Sequence, residues 1–465
     1  MADTSPTPLE TQLARADEIR RAVATSPAPH RADWLDALAD ALDQHADELV
    51  PLAHEETSLG TEPRLAGELR RTTFQARLFA HGLRDGSLVP RQVDLADESW
   101  GMGPRPDLRR TVQGIGPVLV FAASNFPFAF SVCGGDTVSA IAAGCPVIVK
   151  AHPGHPRLSH RTADIASAAL TAAGAPEGLL QLIEGTEESL AALRDPRVLA
   201  AAFTGSTRGG RALAQVAADR PDPIPFYGEL GSVNPVVVTP GAAEARLQDV
   251  RDGWVASLTL GVGQFCTNPG LLLVPDAEAF VEGIQLPTPA HMLNERIEEG
   301  YRTGLEHVSN IDGVRVAITG STSERGITPS VLVADRDTVL GSPELLGEEI
   351  FGPAGLVVSY GDADGLAALV DALPGQLTCT VQTAADDDEV AAAVLPALAE
   401  RAGRVVWNEW PTGVSVTAAQ QHGGPWPATT APTTTSVGTA AISRFQRPVA
   451  YQNVPQALLP ESLRD

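Results

Sequence analysis

The sequence predicts an α/β protein built on parallel sheets, and three observations carry that prediction. Short, unbroken apolar runs recur through the first half. Alanine-rich helical stretches separate them. A second stretch of similar texture begins near residue 234 and extends to about 415. The runs are 116–123 (GPVLVFAA), 146–150 (PVIVK), 178–183 (GLLQLI) and 198–203 (VLAAAF). Such runs lack polar alternation, as strands buried on both faces do. The helical stretches between and after them cover about 130–143, 158–173, 187–194 and 207–219. Strand, helix and strand at this rhythm build βαβ units, and in such sheets ligands bind beyond the carboxyl ends of the strands.

Ahead of the first run, residues 31–53 repeat apolar positions at three- and four-residue intervals, as an amphipathic helix does. A further helical stretch covers about 63–82, and a proline- and glycine-bearing segment follows to about 107. After 415 the texture changes again, with a threonine-rich patch at 429–435. At 465 residues the chain is long enough for two or three domains.

A net charge of -24 disfavours nucleic acid or an anionic membrane as partner. The most apolar stretch, 118–133, is interrupted by Ser124, Asn125 and Pro127, so it is too short to span a bilayer. Residues 1–30 lack the basic-then-apolar pattern of an export signal, and the expected address is a reducing cytoplasm. The four cysteines show no paired spacing. His152, His155 and His160 are separated by prolines and a glycine with no acidic ligand nearby, so no metal site is expected.

Six segments carry candidate chemistry. Cys266 follows Gly-Val-Gly-Gln-Phe and precedes Thr-Asn-Pro-Gly, a setting that can present a thiol in a cleft, although free cysteine more often simply packs. Ser124 and Asn125 follow the first apolar run directly. An amide there can aim its N–H at a developing oxyanion, or form an ordinary Asx turn. Lys150 closes the second run, where a cation can meet nucleotide oxygens or simply solvent. Gly205, Ser206 and Gly210 lie in a small-residue turn that lets backbone approach a pyrophosphate at a helix start. Glu229, between apolar and glycine residues, suits a general base if buried. Glu349 can accept from sugar hydroxyls with Phe351 against the ring, or face water in a turn.

In this order the segments resemble the aldehyde dehydrogenase superfamily across nearly the whole chain. The wording ASNFPFAFS, GGDTVSA, VKAHPGHP and GQFCTNPG, and the tail from His422-Gly-Gly-Pro to Arg447-Pro-Val, resemble its α-ketoglutaric semialdehyde (2,5-dioxovalerate) dehydrogenase branch. That branch also holds fatty aldehyde enzymes. The resemblance implies a Rossmann-type parallel-sheet cofactor domain (1–107 and 124–232), an α/β catalytic domain (233–415) and small bridging strands (108–123 and 416–465). It implies a thiohemiacetal and then a thioester on Cys266, an oxyanion held by Asn125 and the Cys266 N–H, and a hydrolytic water activated by Glu229. Lys150 and Glu349 would hold the two riboses. Pro153 stands where NAD-preferring relatives carry an acid, which favours NADP with NAD as the alternative, while Glu187 and Glu188 argue the other way. Phe265, Trp410 and Pro411 are candidates for the aldehyde pocket or for core. The chain is also shorter than usual for the branch between Val274 and Arg315. A homodimer or homotetramer is implied by resemblance alone. The leading substrate is 2,5-dioxopentanoate; the alternatives are a fatty or other aldehyde, or a catalytically silent scaffold.

Overall fold

The computed structural model describes residues 7–319, 326–385 and 388–465. Strands β1 (Gln92–Asp94) and β2 (Leu108–Gly114) pair antiparallel. Next come β3 (Val118–Phe121), β4 (Val147–Lys150), β5 (Leu180–Ile183), β6 (Ala200–Thr204) and β7 (Phe226–Glu229). They form a parallel sheet in the order β5-β4-β3-β6-β7. The chain thus moves outward from β3 on one side and returns to its other side. The crevice at the carboxyl ends of β3 and β6 is where such a sheet takes a ligand.

A second sheet contains β8 (Val236–Val238), β9 (Leu271–Val274), β10 (Arg315–Thr319), β11 (Ser330–Asp335), β12 (Ala354–Ser359), β13 (Gln376–Gln382) and β14 (Ala402–Trp407). Its order is β10-β11-β12-β9-β8-β13-β14, parallel except for β10 at one edge. Finally β15 (Gln446–Gln452) returns to pair antiparallel with β2. Helices cover both faces of each large sheet, giving each an apolar core on either side.

Two expected boundaries shift. The segment 108–123 divides at Gly116, whose φ of +126° turns the chain. Ahead of the turn, β2 lies in the small sheet with mixed burial; beyond it, β3 is fully buried at the centre of the five-stranded sheet. From the tail 416–465 only β15 joins the small sheet. The threonine-rich patch instead runs along β7, where Leu230 N–H donates to the Ala428 carbonyl (2.8 Å) and Thr430 N–H to that of Gly228 (3.0 Å). The helix expected at 31–53 is two helices, Ala28–Gln44 and Ala46–Thr57, parted at His45, whose ring contacts the Ala41 carbonyl at 2.8 Å.

Candidate active site

Each strand that ends at the crevice delivers a polar residue there. Just beyond β3 lies Asn125, and its Nδ2 donates to the Gln264 carbonyl (3.1 Å). Its own carbonyl accepts from Arg64 (2.7 Å), which is also paired with the buried carboxylate of Glu68. Glu68 in turn accepts the N–H groups of Phe128 (2.8 Å) and Ala129 (2.9 Å), so one buried acid fixes the whole turn. His155 fixes the end of β3: one ring nitrogen lies 3.0 Å from the Ala123 carbonyl and the other 3.1 Å from Ser159 Oγ. Both of its ring nitrogens therefore have structural partners.

The cysteine loop reaches the same place from the other domain. Gly261, Val262 and Gly263 all have positive φ, and a Cβ on Gly263 would meet the Gly352 carbonyl at 2.4 Å. Glycine is required there by close backbone approach. Buried Asn234 then clamps the loop. Its Nδ2 donates to the Cys266 and Asn268 carbonyls at 2.9 Å each, while its Oδ1 accepts from Ser232 and Thr378 at 3.0 Å. Asn268 donates onward to the Gly352 carbonyl (3.0 Å).

Glu229, at the end of β7, is buried against the tail. Its Oε2 accepts from Ser436 Oγ, and its Oε1 lies 2.9 Å from His422 Nε2. The same Nε2 is 3.4 Å from Cys266 Sγ. Burial pushes the Glu229 carboxyl up, but the charge and hydrogen bond of His422, with help from Ser436 and Cys266, outweigh it and hold the group below its ordinary value. The Cys266 thiol is driven well above its ordinary value, first by burial and then by the negative charges of Glu229 and Glu349, with Arg71 opposing. A thiolate at this place therefore calls for a nearby proton acceptor or an added positive charge. Among the described residues, Glu229, Cys266 and His422 form the one group whose ligand-type atoms all lie within 4.8 Å of one another, a set a thiophilic cation could also occupy.

His422 is the residue that sequence reasoning missed. It sits in the tail, its backbone N–H donating to Thr435 Oγ1 (2.9 Å) and its Nδ1 buried without a hydrogen-bond partner. The only signal was an isolated histidine before Gly-Gly in a segment poor in charge.

The cofactor candidates line the same crevice. Lys150 is half-buried at the end of β4, its pKa lowered by burial and by Arg296, with Glu184 opposing. Ser206 caps the helix Thr207–Ala218 and accepts from Gly209 N–H (3.3 Å). Gly205 and Ser206 are exposed, whereas Gly210 is buried under Leu230, so packing accounts for that glycine. Glu349 reaches over Gly231, where a Cβ would come within 2.7 Å of its carboxylate. Burial raises the Glu349 pKa to about 8, with Glu229 adding and a Ser232 N–H opposing. Glu349 and Phe351 border one small cavity. An exposed helix start, a lysine and a glycine-backed acid on one crevice fit a dinucleotide's pyrophosphate and ribose hydroxyls.

Of the three pocket candidates, Phe265 meets Phe126 edge to face at 5.4 Å and stands beside Cys266. Trp410 instead packs on Gly253 with the core around Trp254 and Phe280, and Pro411 is buried next to it. The Pro411 carbonyl accepts from Arg404.

A profile described as "Aldehyde dehydrogenase family" matches residues 1–426. "Alpha-ketoglutaric semialdehyde dehydrogenase 2" of Azospirillum brasilense is 44% identical over 474 residues, covering 98% of this chain and 89% of that protein. "Alpha-ketoglutaric semialdehyde dehydrogenase" of Acinetobacter baylyi is 41% identical over 444 residues, covering 94% and 84%. Among solved structures, glyceraldehyde-3-phosphate dehydrogenase GapN of Methanocaldococcus jannaschii, complexed with NADP, superposes with a TM-score of 0.78 at 18% identity, covering 95% of this chain and 93% of that one. An NAD-dependent aldehyde dehydrogenase of Sinorhizobium meliloti gives 0.77 at 22%, covering 96% and 87%. These two share the fold. The chain belongs to the aldehyde dehydrogenase family and is an oxidoreductase acting on aldehydes.

Proposed function

We propose that the protein oxidises 2,5-dioxopentanoate to 2-oxoglutarate with NADP, through covalent chemistry on Cys266. The observation that carries this reading is the contact of one thiol, one imidazole and one buried carboxylate, on the loop to which Asn125 Nδ2 donates at Gln264. Cys266 Sγ loses its proton toward His422 Nε2 at 3.4 Å or Glu229 beside it, and bonds to the aldehyde carbon. The carbonyl oxygen takes the negative charge and is held by Asn125 Nδ2 and the Cys266 N–H. Held by Lys150, Ser206 and Glu349, NADP would supply the acceptor for the hydride whose loss makes the thioester. Glu229 then takes a proton from water, which attacks the thioester carbon; the carboxylic acid leaves and the sulfur recovers its proton. His422, 2.9 Å from Glu229, receives or returns the proton in each half.

The substrate follows from the two relatives above 40% identity, both named for α-ketoglutaric semialdehyde. For the cofactor, exposed Pro153 carries no charge to repel a 2′-phosphate. Arg296 also stands close enough to Lys150 to make that lysine a weaker base, adding a second cation. Glu188, folded back over Gly185, opposes this and keeps NAD as the second reading. The described chain has no helix long and apolar enough to cross a membrane; we place the enzyme in the cytoplasm. A homodimer or homotetramer is supported by exposed Leu95, Trp100 and Met102 in the link between β1 and β2, apolar side chains that a second copy would cover.

Steady-state rates with 2,5-dioxopentanoate, succinic semialdehyde and a long-chain aldehyde, each with NAD and NADP, test this. The highest kcat/KM belongs to 2,5-dioxopentanoate with NADP. A higher value for the long-chain aldehyde would overturn the substrate assignment.

A further inference from the structure

Arg71 lies on the helix Ala66–Arg84 and is half-buried, yet it makes no hydrogen bond and no ion pair among the described residues. Its Nε is buried without a partner. The carboxylate nearest in sequence, Glu68, is already used by Arg64 and by the two N–H groups of the 128–129 turn. What Arg71 does touch is aromatic: its guanidinium carbon stands 5.9 Å from the Phe126 ring centre and 5.6 Å from that of Phe130.

Both rings border the reacting residues. Phe126 follows Asn125 and meets Phe265, the neighbour of Cys266, at 5.4 Å. Phe130 lies 6.4 Å from the His422 ring. The guanidinium is near enough to Cys266 and Glu229 for their charges to act on it. A partly desolvated cation with no hydrogen-bonded or ion-paired carboxylate is unfavourable unless a ligand supplies that partner. The faces of two rings keep the guanidinium plane oriented, and a planar fork of donors suits a carboxylate. In a chain with a net charge of -24, an unpaired arginine beside the nucleophile stands out as a built anion site.

We propose that Arg71 binds the carboxylate of an anionic short-chain aldehyde and so sets the preference for aldehyde acids over neutral aldehydes. The assignment deepens the proposed function and rests on its substrate reading. Arg71 takes part in no bond-making step; Phe126 and Phe130 hold it in place.

The test compares kcat/KM for 2,5-dioxopentanoate, succinic semialdehyde and neutral pentanal in wild type, Arg71→Met and Arg71→Lys. For Arg71→Met the two acids lose about 10- to 150-fold, the span for a lost hydrogen bond to a charged group. The loss falls mainly on KM, and pentanal changes less than about threefold. Arg71→Lys keeps the charge but not the fork and falls between; it also serves should Arg71→Met fail to fold. An equal loss on all three aldehydes, or an unchanged preference for the acids, would overturn the role of Arg71 while leaving the substrate reading intact. A wild-type enzyme that prefers pentanal would overturn both.

Discussion

Replacing Asn234 by glycine and by alanine separates a backbone cost from the work of its side chain. Asn234 has φ of +48°, a region that asparagine and glycine tolerate and alanine does not. Alanine therefore carries about 1 kcal/mol of strain that glycine avoids, and glycine loses a similar amount through chain entropy. The loss shared by both variants belongs to the amide. That amide donates twice at 2.9 Å and accepts twice at 3.0 Å, fully buried. With about 1 kcal/mol for each bond and more for partners left unmatched in the interior, both variants should lose about 3–5 kcal/mol. Urea unfolding followed by fluorescence reads this directly. The same clamp holds the Cys266 carbonyl, so the following turn and the oxyanion-binding N–H shift with it. A displacement of about 1 Å costs about 100-fold in kcat. If Asn234→Gly lies within 1 kcal/mol of wild type and keeps its kcat within about twofold, the clamp does not hold the loop.

Two further outcomes follow from charge and burial. The Glu349 carboxyl has a pKa of about 8 in the folded protein against an ordinary value of 4.5. Below 4.5 neither state is charged; as pH rises toward 8 the unfolded chain ionises first, so this residue erodes stability over that window. Glu349→Gln should therefore raise Tm relative to wild type at pH 9 but not at pH 4.5, and equal differences at both would refute the assignment. Iodoacetamide should alkylate Cys266 slowly at neutral pH in the cofactor-free enzyme, because burial and then the Glu229 charge disfavour the thiolate. Glu229→Gln removes that charge and should accelerate the reaction; a slower rate would mean that Glu229 serves the thiol chiefly as a base.

Most of the fold was readable because a parallel strand buried on both faces leaves an apolar run, and β3 to β6 each left one. Asn125, Lys150, Glu229 and Cys266 stood out because polar residues flanked by small ones at run ends have few packing roles. The division at Gly116 was hidden, since the apolar run begins at the turn itself and nothing in composition separates one sheet from another. Arg71 could not be distinguished from Arg70 beside it: helical position is shared, and only the approach of Phe126 and Phe130 decides which of them faces inward. His422 escaped because its partner carboxylate is remote in sequence and the tail that carries it has neither strand nor helix texture. Trp410 was left open between pocket and core because an aromatic near a strand end serves either; here it covers a glycine of a neighbouring helix.

The chemistry assigned to the crevice can be caught as a trapped intermediate. Glu229→Gln enzyme is mixed with NADP and 2,5-dioxopentanoate, quenched in acid, digested and weighed peptide by peptide. One equivalent of reduced cofactor per site should appear before turnover stalls, together with an acyl group on the peptide that contains Cys266. Unbroken turnover, or an acyl group on any other residue, would contradict the account.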